Sequence, residues 1–160
     1  IMLRLIQQAI VPVCQEILDN HSYVNKVKPN AIEIKGKPVD IMFDKQLFSH
    51  ALSNLVSNAF KYTRGNLPPK VSLEFAKDQT TIRVIDKGIG IPEEELRHLF
   101  EPFYRASNVK EISGTGLGTA IAKEYIELIG GSISVNSTLG KGTEFIIILN
   151  NQNHGKNTDS

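Results

Sequence analysis

Three clusters of residue types in this chain stand at spacings that could do chemistry. The first is Asn54, Asn58 and Lys61. At about 100° per residue these three fall within one narrow sector of a helix. An amide oxygen on Asn58 suits a hard cation such as Mg²⁺, and the Lys61 ammonium suits a phosphate beside it. A solvated helix face accounts for the same spacing equally well. The second cluster is Asp86-Lys87-Gly88-Ile89-Gly90, an acid at the end of an apolar stretch followed by two glycines that permit a sharp loop. A carboxylate only accepts hydrogen bonds, so Asp86 matches the exocyclic amine of adenine and would repel the carbonyl that guanine places there. An ordinary Asp-x-Gly turn is the alternative. The third is Gly114-Thr115-Gly116-Leu117-Gly118, directly before a helical pattern. Glycines expose backbone N–H groups and a helix start favours anions, so phosphate fits; a flexible hinge fits as well.

Two common phosphate motifs are excluded. A P-loop ending at Gly140-Lys141 needs glycine where Val135 stands and a hydroxyl residue where Gly142 stands. The dinucleotide Gly-x-Gly-x-x-Gly fails because Ile121 occupies the position required after Gly116 and Gly118.

The elements that must position these groups can be read from periodicity. Residues near Leu3 to Asn20 show a helical stripe weakened by Pro12. Short strand-like runs follow at Ala31 to Ile34 and Val39 to Phe43. Asp44 can cap a long helix to about Thr63, whose apolar face runs from Leu47 to Phe60. Gly65 to Pro69 reads as a loop. Val71 to Phe75 and Thr81 to Ile85 form a hairpin across Lys77-Asp78-Gln79. A short helix from Pro92 to Leu99 is expected, then a mobile connector from Glu101 to Ser113, then a helix from Thr115 to Ile129 ending at Gly130-Gly131. Strands at Ile133 to Val135 and Thr143 to Leu149 close the pattern. Hairpins grouped with helices predict an α+β two-layer sandwich rather than a doubly wound parallel sheet.

Taken together, the stretches resemble the catalytic and ATP-binding domain of sensor histidine kinases. Residues Asn54 to Thr63 resemble the N box, Asp86 to Gly90 the G1 box, Phe100-Glu101-Pro102-Phe103-Tyr104-Arg105 the F box, and Gly114 to Gly118 the G2 box. Gly140-Lys141-Gly142-Thr143-Glu144-Phe145 resembles the closing strand signature. The resemblance runs from about Asp44 to Leu149, and residues 1–43 match loosely. Ser113, where a glycine often precedes the G2 box, and Thr119, in place of a common leucine, depart from the pattern.

The resemblance implies the Bergerat ATP-binding fold, shared with gyrase, Hsp90 and MutL ATPases: a two-layer sandwich with a mixed, mostly antiparallel sheet and helices on one face. It implies a domain over residues 1–149; the tail over 150–160 is polar and is expected to be disordered. It implies ATP and Mg²⁺, with Asn58 on the metal and Lys61 on a phosphate. Asn54 and Tyr62 would flank the nucleotide. Asp86 would read the adenine amine, Gly88 and Gly90 would shape the pocket, and Thr143 would support the adenine end. Gly114, Thr115, Gly116, Leu117 and Gly118 would form the lid, and Arg105 would reach the γ-phosphate.

Position 54 separates relatives. Gyrase-type ATPases carry a water-activating Glu there, and the amide of Asn54 is no general base. Transfer to a histidine is therefore expected over hydrolysis. His21, His50, His98 and His154 are followed by Ser22, Ala51, Leu99 and Gly155, not by the acid that follows an acceptor histidine in this family. The acceptor and dimerisation domain is expected outside this fragment, which should be monomeric and, through the full-length kinase, address a response regulator. An ATP-binding regulatory module and an anti-sigma-type serine kinase are the alternative readings.

Composition agrees with a folded domain, which the resemblance implies is cytoplasmic. The chain has 160 residues, 41% hydrophobic and 22% charged, which excludes wholesale disorder. A net charge of +1 argues against a nucleic-acid coat. Its one cysteine, Cys14, excludes an internal disulfide. It begins at Ile1 without a charged leader and reads as a piece of a longer protein, whose other parts could carry an inner-membrane anchor.

Overall fold

A computed structural model describes residues 2–63, 67–109 and 117–151. The first helix, α1, spans Val11–Val24 rather than the residues near Leu3 to Asn20. A short strand, β1 (Ile6–Gln8), stands where the helix was expected and pairs antiparallel with β3 (Ile41–Phe43). Pro12 explains the shift. It sits in the first turn of α1, where its missing N–H has no partner to lose, so it starts the helix instead of bending it. Leu5 and Ile6 are exposed, and the buried stripe is Val13, Cys14, Ile17 and Leu18.

Cys14 is completely buried, and burial pushes its thiol pKa up to about 12. The reactive species is the thiolate. The folded protein should therefore leave Ellman's reagent unconsumed while the denatured chain reacts one to one; rapid native labelling would contradict this burial.

The long helix α2 spans Lys45–Tyr62, as its apolar spacing predicts. Asp44 caps it: Oδ1 accepts the Leu47 amide at 3.0 Å, and Oδ2 accepts the Arg4 amide at 2.8 Å. One carboxylate thus starts the helix and pins the N-terminal segment.

The main sheet holds β2 (Glu33–Lys35), β4 (Lys70–Phe75), β5 (Gln79–Asp86), β6 (Ser132–Thr138) and β7 (Gly142–Asn150). Its order is β2-β4-β5-β7-β6. Only β2 and β4 run parallel; the other neighbours are antiparallel. Burial alternates along β4 and β7, so one face carries Val71, Leu73, Ile82, Val84, Phe145, Ile147 and Leu149. That face is covered by α1, α2 and α3 (Gly118–Leu128), with α2 and α3 packed on each other. The result is the α+β two-layer sandwich that the sequence predicts.

The β4–β5 hairpin turns at the expected Lys77-Asp78, closed by Ala76 N–H donating to the Gln79 carbonyl at 2.9 Å. Asn151, buried just past β7, clips this hairpin: Oδ1 accepts from Thr80 Oγ1 at 2.6 Å and Nδ2 donates to the Ala76 carbonyl at 3.0 Å. The short helix expected from Pro92 to Leu99 is a 3-10 helix, Glu93–His98. Its apolar anchors, Leu96 and buried Leu99, stand three residues apart, which matches three residues per turn. A second 3-10 turn, Ser107–Val109, interrupts the expected connector. The start of the Thr115 helix, the 64–66 part of the Gly65 loop and the tail from 152 lie outside the described residues. No helix among the described residues is long and apolar enough to cross a membrane.

Candidate functional site

A cavity of about 360 Å³ opens between α2, the start of α3 and the end of the sheet where β5 ends and β7 begins. That volume suits a small ligand. Its walls include Asn54, Asn58, Lys61 and Tyr62 from α2, Asp86 and Thr143 from the sheet, and Gly90, Arg105, Leu117 and Gly118 from the connections. Two of the three clusters read from the sequence, distant along the chain, therefore face one space. Of the third, Leu117 and Gly118 line the cavity, and Gly114, Thr115 and Gly116 lie outside the described residues.

Asp86 is the last residue of β5 and is only 8% exposed. Its Oδ1 accepts the Gly88 amide at 2.9 Å and the Thr143 amide at 3.3 Å. Gly88 is thus not a wall of the cavity; it stands behind Asp86 and orients it. Burial raises the Asp86 pKa above the ordinary carboxylate value, and the two amides pull it back only in part. Neither bond uses Oδ2, the second acceptor of this cavity-lining carboxylate.

The loop after Asp86 is anchored on both sides. Ile89 N–H donates to the Tyr62 carbonyl at 3.1 Å, and the Ile89 carbonyl accepts Gly140 N–H at 2.8 Å. These bonds hold the loop after Asp86 against the end of α2, whose Asn58 and Lys61 line the same cavity. Gly90 has φ +71°, and a Cβ there would lie 2.2 Å from the Thr138 carbonyl oxygen, so the loop passes where only glycine fits. Across the cavity, Asn54 Nδ2 reaches the Gly118 carbonyl at 3.4 Å and ties α2 to the start of α3.

Several residues here carried no local signal. Ile89, Leu99, Ile121 and Phe145 give the cavity apolar walls, but in the sequence they are ordinary core positions. His50, one turn before Asn54, also lines it and stacks edge-on against Tyr125 at 5.2 Å. Glu95 accepts from Tyr104 Oη at 2.7 Å, from the Ser107 amide at 2.8 Å and from Ser107 Oγ at 2.7 Å. Asn108 Nδ2 donates to the Gly90 carbonyl at 2.6 Å. Together these bonds hold the segment that brings Arg105 to the cavity. The run of three glutamates marks a helix start in the sequence and says nothing of this tether.

The comparisons with known proteins agree with this geometry. A sequence model described as histidine kinase-, DNA gyrase B- and HSP90-like ATPase matches residues 43–153. The chain belongs to that ATPase family. The matched span takes in α2, the sheet from β4 onward and every described wall of the cavity. Over 119 residues, 74% of this chain, it is 39% identical to the sensor histidine kinase YvrG of Bacillus subtilis (strain 168) and covers 20% of that protein. It is 36% identical over 140 residues to the sensor histidine kinase GacS of Pseudomonas protegens, covering 84% of this chain and 15% of GacS. It is 34% identical over 152 residues to the sensor protein kinase WalK of Staphylococcus saprophyticus, covering 86% of this chain and 25% of WalK. The chain therefore spans a quarter or less of the length of these curated relatives. Among solved structures, the mycobacterial sensor histidine kinase MprB superposes with a TM-score of 0.73 at 22% identity, over 93% of this chain and 97% of that one. This last likeness is one of fold.

Proposed function

We propose that this ATPase-family domain binds Mg·ATP and passes the γ-phosphoryl group to a histidine on a separate acceptor domain, as the catalytic part of a sensor histidine kinase. The observation that supports it is the shared cavity: an amide and ammonium row on α2 opposite a carboxylate at the sheet end. In this reading Asp86 Oδ2 accepts from the adenine amine, Thr143 supports the same end, and Tyr62 flanks the nucleotide. Lys61 and Arg105 meet the phosphates, and the glycines from 114 to 118 approach them from the lid.

Asn58 would hold Mg²⁺. Among the described residues no group of three His, Cys, Asp or Glu side chains could hold a metal by itself. One amide oxygen beside a phosphate-binding lysine fits a cation that arrives with its nucleotide, since Mg²⁺ keeps most of its shell as water and phosphate oxygen. Bound there, it would neutralise charge on the phosphates.

The imidazole nitrogen lone pair of the acceptor forms a bond to the γ-phosphorus, the bond to the β–γ bridging oxygen breaks, and ADP leaves. Lys61 and Arg105 offset the charge that develops on the transferring group. Asn54 supplies no base for water, which disfavours hydrolysis. Response-regulator partnership and dimerisation belong to the full-length kinase, and the domain is cytoplasmic.

Calorimetric titration with Mg·ATP and incubation with γ-labelled ATP test this reading. The chain should bind ATP, remain unlabelled by itself, and label a supplied acceptor domain with acid-labile phosphate. Steady phosphate release without transfer would instead place it among hydrolysing ATPases, and binding without either would leave a regulatory module.

A further inference from the structure

Asp86, Thr143 and Ser137 lie side by side across three adjacent strands, because Asp86 pairs with Thr143 between β5 and β7 and Ser137 pairs with Thr143 between β6 and β7. Ser137 Oγ lies 2.8 Å from the Ile91 amide nitrogen, 2.9 Å from the Gly142 carbonyl oxygen and 2.8 Å from Thr143 Oγ1. The amide can only donate and the carbonyl can only accept. A hydroxyl has one proton and two lone pairs. The Ser137 proton must go to the Gly142 carbonyl, since otherwise two oxygens would meet lone pair to lone pair. Its lone pairs then take the Ile91 N–H and the Thr143 O–H. The Ser137 hydroxyl is saturated, and the Thr143 proton is committed to it.

We infer that Ser137 is a specificity-determining positioning residue: by taking the Thr143 proton, it makes Thr143 face the nucleobase as an acceptor only. The inference rests on the nucleotide reading above. Thr143 and Asp86 both line the cavity. Asp86 Oδ1 is occupied by backbone amides. The end of the cavity therefore offers Asp86 Oδ2 and Thr143 Oγ1 side by side, both as lone pairs. A purine with an amino group at C6 satisfies them, and a purine with a carbonyl there meets repulsion from each. Without the Ser137 hydroxyl, the Thr143 hydroxyl is free to turn and donate to such a carbonyl.

The test compares dissociation constants of ATP and inosine triphosphate, which carries a carbonyl at C6, by calorimetric titration of this chain. The wild type should prefer ATP. In Ser137→Ala that preference should narrow by about threefold to tenfold, the worth of one recovered hydrogen bond. Ser137→Thr retains a hydroxyl and should keep the wild-type preference. Adding Thr143→Val to Ser137→Ala should cancel the gain in inosine triphosphate affinity. If Ser137→Ala weakens both nucleotides by the same factor, Ser137 only braces the loop and the inference fails. Should Ser137→Ala not fold, Thr143→Val alone decides: it removes the lone pairs, so an unchanged ratio overturns the inference and a narrowed one supports it. A wild type that binds neither nucleotide overturns the nucleotide reading itself; a wild type that binds ATP with ratios unmoved by these variants overturns this inference alone.

Discussion

Asp86→Asn should abolish measurable ATP binding while leaving the fold intact. The amide oxygen of Asn can still accept the Gly88 and Thr143 amides that Oδ1 accepts now. The second position changes from acceptor to donor and meets the adenine amine donor to donor. A hydrogen bond to a charged group is worth about 1.5–3 kcal/mol, and an opposed pair in a buried pocket removes more than its absence would. Affinity should fall by at least roughly 100-fold, about 2.8 kcal/mol, in calorimetric titration. The melting temperature should hold or rise, because a buried charge disappears from the empty pocket. Wild-type affinity in the variant would remove Asp86 from the adenine site.

The same carboxylate gives stability and binding opposite dependences on pH. Burial raises the folded-state pKa of Asp86 above its unfolded value. Its contribution to stability is therefore complete below the unfolded carboxylate pKa and is lost as pH rises through the folded value. In the proposed site binding needs an ionised Oδ2, so ATP affinity should fall as pH drops through that raised value, at a higher pH than an ordinary aspartate would give. Asp86→Asn should remove this component of the stability profile, read by denaturant titration across the acidic range.

Local signals in the sequence carried much of this architecture. The Asp44 cap, the apolar face of α2 and both hairpins follow from spacing within a few residues, and each stands where it was expected. The polar row of Asn54, Asn58 and Lys61 is legible for the same reason, since one helix sets all three directions. The partners across the cavity are different. Ser137 acts on Thr143 and Ile91 through strand register, and Glu95 acts on Tyr104 and Ser107 through the path of a connector. Neither relation has a period in the sequence. At the N-terminus the stripe from Leu5 to Leu18 satisfies helical spacing, yet pairing with Ile41–Phe43 takes its first residues into a strand. Tertiary pairing outweighs a pattern that short.

Gly142 is where backbone geometry meets the cavity end that holds Asp86 and Thr143, and Gly142→Ala should be the most damaging glycine substitution in the closing turn. Gly140 and Gly142 both have positive φ, +82° and +131°. A Cβ on Gly140 meets nothing within 4 Å, so Gly140→Ala carries backbone strain alone, about 1–2 kcal/mol. A Cβ on Gly142 would lie 2.0 Å from the Asp86 carbonyl oxygen and 2.9 Å from the Lys87 Cα, both backbone atoms that no side-chain rotation can clear. Strain and overpacking each cost about 1–3 kcal/mol, so the pair should total roughly 2–6 kcal/mol, centred on about 4 kcal/mol. At about 2–4 °C per kcal/mol for a domain of this size, the central value lowers the melting temperature by about 8–16 °C, against a few degrees for Gly140→Ala. The push acts on Asp86 and its neighbour Thr143, so Gly142→Ala should also lose ATP affinity while Gly140→Ala keeps it. Equal losses of stability and affinity in the two variants would show that the contact with Asp86 relaxes without displacing the carboxylate.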